Sequence, residues 1–192
     1  MRKILGILIL IAGIVIAVSA SSANFAYFEA TRNVTVTVVP DDNELIDLNP
    51  LQPYAYINSN GEMVLQLSIA NTNWPGHTSN PNYNSTWAEM QYGTGVSPDS
   101  IYVFEEVFEV SNHLWENVDI CVEITYDGDG GILFFTGDYV EGAGQTSLKF
   151  TVPHGEAVKV GMVLDSSGLV EGQSIDGNIK VTAENGECPI II

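Results

Sequence analysis

Residues 118–126, VDICVEITY, alternate apolar and polar side chains without a break. The apolar phase consists of Val118, Ile120, Val122, Ile124 and Tyr126. A period of two with β-branched residues predicts a strand that buries one face. The sequence DGDGG follows at residues 127–131 and is typical of a tight turn. This stretch therefore predicts a half-buried strand that ends in a hairpin turn.

Similar segments continue along the chain in both directions. Six further strands are predicted at residues 33–39, 63–70, 132–135, 147–152, 157–164 and 178–183. One helical signal is present, because Ser97-Pro98-Asp99-Ser100 precedes residues 101–110, in which Phe104, Val107 and Phe108 have helix-like spacing. It predicts a short helical turn that leads into a strand. Residues 71–97 predict an extended loop. The pattern as a whole favours an all-β fold with a single jelly-roll-like β-sandwich.

The N-terminus has the features of an export signal. Met1-Arg2-Lys3 is positively charged, and residues 4–18 form an apolar run that is short for a membrane span. Small residues then allow cleavage before Ser21 or before Asn24, and we favour Asn24. The alternatives are an uncleaved N-terminal anchor and cleavage before the apolar run. The predicted organisation is a signal peptide at 1–23, an N-terminal segment at 24–40 and a β-sandwich domain at 41–192.

The charge of the chain is strongly acidic. Six Lys and Arg residues stand against 24 Asp and Glu residues, for a formal net charge of −18. Removal of Arg2 and Lys3 with the signal leaves 4 − 24 = −20. This charge excludes a nucleic-acid-binding protein that works by phosphate neutralisation. It also predicts that contacts between copies of the chain depend on salt.

The order of these segments resembles a known family of secreted fibre subunits. A signal peptide precedes the aromatic cluster NFAYF at residues 24–28 and a Thr/Val strand, and VFEVSN at residues 107–112 leads into the next strand of an acidic β-rich body. This layout resembles the biofilm-fibre subunits related to TasA and camelysin, and more closely the archaeal bundling pilins. The resemblance implies a jelly-roll that lacks one strand, whose groove receives the N-terminal segment of the next subunit. It further implies an extracellular homopolymer that adheres or bundles cells, with a membrane involved only during export.

The segment at residues 33–39 has the properties of such a donor strand. An extended segment with alternate apolar side chains can satisfy both the backbone groups and the apolar groove of an incomplete sheet. The predicted donor-side contact residues are Phe25, Tyr27, Phe28, Val34, Val36 and Val38. Head-to-tail contact of this kind forms an open filament rather than a closed dimer. The alternative is that residues 33–39 are the first strand of their own domain.

The two cysteines predict a disulfide bond. Cys121 lies on the polar face of the strand at residues 118–126, and Cys188 precedes the apolar C-terminal tail. An intrachain bond would close a loop of about 67 residues and contribute on the order of 4 kcal/mol in the chain-entropy model. Export to an oxidising compartment favours the bond. Two free thiols and an intersubunit bond are the alternatives.

Cation binding and glycosylation have weaker signals. Asp127 and Asp129 border a glycine-rich turn, where hard oxygen ligands suit calcium, although we favour the alternative that they are solvated carboxylates in a hairpin turn. No other cofactor is expected. The sequons at Asn33 and Asn84 predict glycosylation in an exported chain, and Asn84 is the better candidate because it lies in the long polar loop.

No catalytic motif is present in the sequence. The three histidines are isolated, and neither a His-Glu-x-x-His motif nor a Gly-x-Ser-x-Gly motif occurs. We therefore expect a protein that is not an enzyme. The alternative function is a binding module for glycans or a protein partner, since Trp74, Tyr83, Trp87 and Tyr92 could form a stacking surface in the long loop.

Overall fold

The computed structural model describes residues 39–85, 92–128 and 130–189. The chain divides into two units, Met1–Thr37 and Val38–Ile192, and the described residues belong to the second. They form a 3-10 turn at Asp41–Asn43 and nine strands. The strands are β1 (Ile46–Pro50), β2 (Ala55–Ile57), β3 (Met63–Leu65), β4 (Ile101–Asn112), β5 (Ile120–Gly128), β6 (Ile132–Thr136), β7 (Ser147–Val152), β8 (Ala157–Asp165) and β9 (Gly177–Asn185).

The strands form two sheets and a hairpin, with every pairing antiparallel. The first sheet has the order β1-β4-β8-β6, the second has the order β7-β5-β9, and β2 pairs with β3. One core joins side chains of both sheets, including Phe108 and Met162 from the first and Val122 and Ile124 from the second. The all-β prediction is therefore confirmed, and the two sheets pack face to face as in a β-sandwich.

The alternation in β5 places its side chains as the sequence predicts. Ile120, Val122 and Ile124 are at most 1% exposed, whereas Cys121 and Glu123 lie on the other face and are partly exposed. Full burial of an aliphatic side chain contributes roughly 1.5–3 kcal/mol. The central position of β5, between β7 and β9, explains why this segment has the clearest pattern in the sequence.

The helical turn expected near residues 97–110 is absent, and this prediction was wrong. Residues 101–112 form the long strand β4, whose register with β8 shifts between Phe104 and Phe108. Glu106 within this bulge has a φ of 52°. A bulge changes the direction of the strand, so that Val107 and Phe108 are both fully buried although they are consecutive. The helix-like spacing in the sequence therefore comes from a β-bulge.

Other strand boundaries differ from the sequence prediction. The strand expected at residues 63–70 ends at Leu65, because the chain then turns and Asn71 donates its side-chain amide to the carbonyls of Gln66 and Pro53. β1 and β2 were not predicted, since both are short and β1 contains Asp, Asn and Pro. The described part of the predicted loop, residues 71–85 and 92–97, contains turns and no strand.

The two ends of the sandwich are distinguished by their strand termini. At one end β4 and β7 end, and β5 and β8 begin; we name it the Asn112 end. At the other end β5 ends, and β6 and β9 begin; we name it the Gly128 end. The Asn112 side chain closes its own end by donating to the carbonyls of Val118 and Val152 at 2.9 and 3.2 Å.

Candidate functional site

The six predicted donor-side residues lie at positions 25–38, outside the described residues. The predicted signal peptide and the sequon at Asn33 lie outside them as well. The structure therefore bears on the surface that would accept a donor strand. The sequence had left that surface unassigned.

An open cleft lies between strands β3 and β9. Among the described residues, β3 pairs only with β2 and β9 pairs only with β5, so each strand has one edge without a strand partner. The cleft has a volume of about 890 Å³. We name it the β3–β9 cleft, and it is lined by residues of β1, β3, β5, β6, β8 and β9, by Asp41 and Glu62, and by the loops that follow β3 and β8.

The β3–β9 cleft has apolar side chains on both walls and on its floor, and polar side chains of the adjoining loops line the rest. Its walls carry Met63, Leu65, Leu67, Ile179 and Val181, which are partly exposed and pack against the core. Its floor carries Leu48, Tyr126, Ile132, Met162 and Leu164. An apolar surface between two free strand edges can bind an extended segment through backbone hydrogen bonds and alternate side chains.

The chain enters the domain beside this cleft. Pro40 packs against Gly61, which has a φ of 84°, and the amide of Asp41 donates to the Gly61 carbonyl at 2.9 Å. The Asp41 carboxylate, which lines the cleft, accepts a hydrogen bond from the amide of Met63 at 2.7 Å. These contacts hold the first described residues against the start of β3. Pro40 and Asp41 thus have a fixed position beside the cleft.

Carboxylates crowd this entry point. Burial raises the pKa of the Glu44 carboxyl above its usual range, and the charges of Asp41 and Asp47 raise it further. Asp47 is 9% exposed, and its Oδ2 lies 3.3 Å from the Nε2 of His113, with which it forms an ion pair when the imidazole is protonated. Like charges at the entry point repel at neutral pH, so the binding of protons or cations there relieves that repulsion.

A disulfide bond joins Cys121 and Cys188, with an S–S distance of 2.02 Å. After β9, the amide of Gly186 donates to the Asp119 carbonyl, and the amide of Cys188 donates to Oγ1 of Thr151 in β7. The C-terminal residues thus cross from β9 over β5 to β7. Because β9 forms one wall of the cleft, the disulfide restrains that wall by fixing the chain directly after β9.

The predicted calcium ligands are only partly described. Asp127 is exposed near the end of β5, and Asp129 lies outside the described residues. Within the described ranges, no group of three or more His, Cys, Asp or Glu side chains has a geometry that could hold a metal ion. Calcium binding by the turn at residues 127–131 stays a prediction.

The predicted aromatic residues of the long loop differ in their environments. The Trp74 indole donates to the Gly93 carbonyl at 3.1 Å and lies against Gly76, so it holds the loop together. Tyr83 and Tyr92 are 44% and 47% exposed, and Trp87 lies outside the described residues. Asn84 is exposed, as an acceptor of a glycan has to be. Its glycosylation stays a prediction.

The described histidines lie in separate places. His77 accepts a hydrogen bond from the amide of Ser79 at 3.2 Å, His113 faces Asp47, and Nε2 of His154 lies 2.9 Å from the Leu114 carbonyl. No helix in the described part of the chain has the length and apolar character to span a bilayer.

The comparison with known families gives one match. The profile of the DUF1102 family, described as a protein of unknown function, matches residues 38–188. The chain belongs to this family. The matched region begins at the residue where the second unit begins and ends at Cys188, so it contains both walls of the β3–β9 cleft and the disulfide bond. No curated protein and no solved structure matches the chain.

The cleft residues were missed by sequence reasoning. Met63, Leu65 and Leu67 alternate with polar or smaller residues, as do Ile179 and Val181, and this alternation is visible in the sequence. It predicts that these positions face inward, but it does not reveal that two of the strand edges lack a neighbour. That property depends on the order of strands in the sheets.

Proposed function

We propose that this protein is the structural subunit of an extracellular filament. In this filament, residues 24–39 of one copy occupy the β3–β9 cleft of the next copy. The observation that supports the proposal is the cleft itself, an apolar floor between two strand edges without strand partners. A free edge in a secreted protein is an aggregation hazard unless it is covered, and a donor strand covers it.

The chemistry of the N-terminal segment matches the cleft. Val34, Val36 and Val38 share one phase of a strand and would enter the apolar floor, whereas Thr35 and Thr37 would face outward. Hydrogen bonds to β9 and β3 would satisfy the backbone of the segment. The second sheet would then have the order β7-β5-β9-donor-β3-β2 and would complete a jelly-roll-like sandwich.

The same segment has a competing destination within its own copy. Pro40 lies beside the start of β3, so residues 33–39 could fold back into the cleft of their own domain. That arrangement gives a closed monomer. Insertion into a neighbour gives a heterologous contact, which propagates as an open filament.

A mixing experiment with two complementary variants tests the proposal. Val36→Asp removes a donor contact and leaves the cleft intact, while Val181→Asp introduces a charge into the cleft and leaves the donor intact. The chain used begins at Asn24. We expect each variant alone to be a monomer and an equimolar mixture to form a dimer, measured by size-exclusion chromatography with light scattering.

Matched controls separate assembly from folding. Thr37→Asp adds the same charge to the outward phase of the donor and is expected to polymerise as the unmodified chain does. Circular dichroism checks that Val36→Asp and Val181→Asp are folded, and Leu67→Asp replaces Val181→Asp if the latter unfolds. A stable monomer of the unmodified chain under all conditions, or polymers of Val36→Asp, would contradict the proposal.

The filament would act outside the cell without chemical turnover. An exported chain meets the oxidising conditions under which the Cys121–Cys188 bond is stable. Lateral bundling of such filaments would serve adhesion or a biofilm matrix. The charge of −20 on the exported chain would make bundling depend on salt or divalent cations.

A further inference from the structure

An exposed tryptophan lies at the Asn112 end of the sandwich. The Trp115 side chain, in the loop between β4 and β5, is 91% exposed, more than any other large apolar residue in the described part of the chain. Tryptophan is highly buried on average, and it is enriched among residues that dominate binding energy at interfaces.

Hydrogen bonds hold the backbone of this loop in place. The amide of Leu114 donates to the side chain of Asn112 at 3.3 Å, and the amide of His113 donates to the Leu45 carbonyl at 2.8 Å. The amide of Val118 donates to the Glu116 carbonyl at 2.9 Å. A loop fixed in this way loses little conformational entropy when it binds a partner.

Leu45 lies at this same end, beside the loop that carries Trp115. Leu45 is bonded to His113, is 49% exposed, and follows the fixed entry point at Pro40 by only a few residues. The proposed donor strand ends at residue 39, so no linker separates it from Pro40. Residues 39 and 40, which would connect the donor strand to its own domain, span at most about 7 Å of extended chain. In the proposed filament, the cleft of the neighbouring copy must therefore begin close to Pro40, which is five residues before Leu45.

We propose that Trp115, together with Leu45, packs against the next copy of the chain at the junction between subunits. This inference rests on the proposed function, because it assumes that a second copy receives residues 24–39. It adds a second contact to the donor strand. The apolar contact orients the neighbouring subunit, while the donor strand supplies the tether.

The chain that begins at Asn24 serves for the test. Trp115→Ser is expected to raise the protein concentration at which filaments appear by about tenfold or more, as the loss of an interface hot spot does. Val170→Ser removes an exposed apolar side chain, 64% exposed, from the loop between β8 and β9 at the Gly128 end, and serves as the control. We expect it to leave that concentration unchanged.

Fluorescence quenching gives a second measurement, made on the unmodified chain that keeps the Trp115 side chain. Iodide quenches exposed tryptophan, so quenching of Trp115 is expected to fall when the unmodified chain polymerises. Trp115→Phe keeps an aromatic ring and identifies the contribution of Trp115 to the signal by difference. This readout decides the question even if Trp115→Ser does not fold.

The outcomes separate this inference from the proposed function. Filaments that depend on residues 24–39 but tolerate Trp115→Ser, with Trp115 still open to iodide, would overturn the inference and leave the proposed function standing. Failure of the unmodified chain to polymerise would overturn both. A Val170→Ser defect as large as that of Trp115→Ser would also overturn the inference, because the effect would not be specific to the Asn112 end.

Discussion

Gly161 in β8 leaves room for an aromatic ring to be buried on the outer face of the first sheet. The ring of Phe135, its strand partner in β6, lies directly over it, and a Cβ at position 161 would overlap that ring. Phe135 is 2% exposed and packs against Tyr139 with a centroid distance of 5.1 Å. The missing side chain of Gly161 thus creates the space that lets an aromatic residue be buried on this face.

Gly161→Ala is therefore expected to lower the free energy of unfolding by about 1–3 kcal/mol, because the Phe135 ring must move. Denaturant unfolding measures the change. Gly93→Ala is the matched control, since its added Cβ would meet nothing closer than 3.8 Å and its φ is not in the left-handed region. Equal stability of the two variants would contradict this role for Gly161.

Glu123 makes stability depend on pH. The Ser147 hydroxyl donates to Oε1 at 2.7 Å, and the Lys149 ammonium lies 3.3 Å from Oε2. The hydrogen bond from Ser147 lowers the pKa of the Glu123 carboxyl, and Lys149 lowers it further. A lowered pKa in the folded state contributes stability above the pKa of the unfolded chain, about 4.3, and that stability is lost as the pH falls through the folded pKa.

Glu123→Gln should therefore lower the free energy of unfolding at pH 7 and have a smaller effect near pH 3. The effect at pH 7 is expected to be modest, because the pair is partly exposed and solvent screens it. Denaturant unfolding at the two pH values measures the difference. A Glu123→Gln effect that is the same at both would show that the carboxylate charge has no part in it.

At the scale of the element, β9 combines a free edge with a covalent restraint. It pairs with β5 over its whole length, and most of its side chains are exposed. Few apolar contacts therefore hold it in place. The Cys121–Cys188 bond fastens the chain just after β9 to the strand beside it.

The double variant Cys121→Ser/Cys188→Ser is expected to lose on the order of 4 kcal/mol of unfolding free energy, as the chain-entropy model gives for a loop of this length. Hydrogen exchange should become faster in β9 than in β4, because β4 lies between two other strands. Equal acceleration in both strands would contradict a local role for the disulfide. Free-thiol counting on the unmodified chain checks that the bond is formed.

At the scale of the whole molecule, charge would oppose the proposed assembly. Copies with a net charge of −20 repel, and the repulsion decreases as the Debye length falls from about 30 Å at 0.01 M salt to about 8 Å at 0.15 M. We expect filaments of the chain that begins at Asn24 to form faster at the higher salt, as followed by light scattering. A rate independent of salt would show that charge does not limit assembly.

Calcium and magnesium can be compared at equal ionic strength. Screening predicts the same rate of assembly with both ions, whereas a calcium site at residues 127–131 predicts faster assembly with calcium. In the second case Asp127→Asn should remove the difference. Persistence of a calcium effect in Asp127→Asn would place the calcium site elsewhere.

The local pattern of the sequence determined the strands with a buried face. β7 has the predicted bounds, and β5, β6, β8 and β9 differ by at most two residues at either end, because an alternating strand in a sandwich carries its own signature. The polar face of β5 also placed Cys121 where a bond to Cys188 could form. Short edge strands such as β1 and the bulge at Glu106 escaped prediction, because pairing rather than pattern makes them strands.

The sequence by itself thus determined an acidic all-β chain with a candidate export signal and a candidate donor segment. Only the tertiary structure decided that β3 and β9 border a cleft with an apolar floor and that Trp115 is exposed at the Asn112 end, beside Leu45. The physical reason is that alternation reports which face of a strand is buried, whereas a free edge depends on which strands become neighbours. Neighbours in this fold are distant in sequence, as the pairing of β5 with β9 shows.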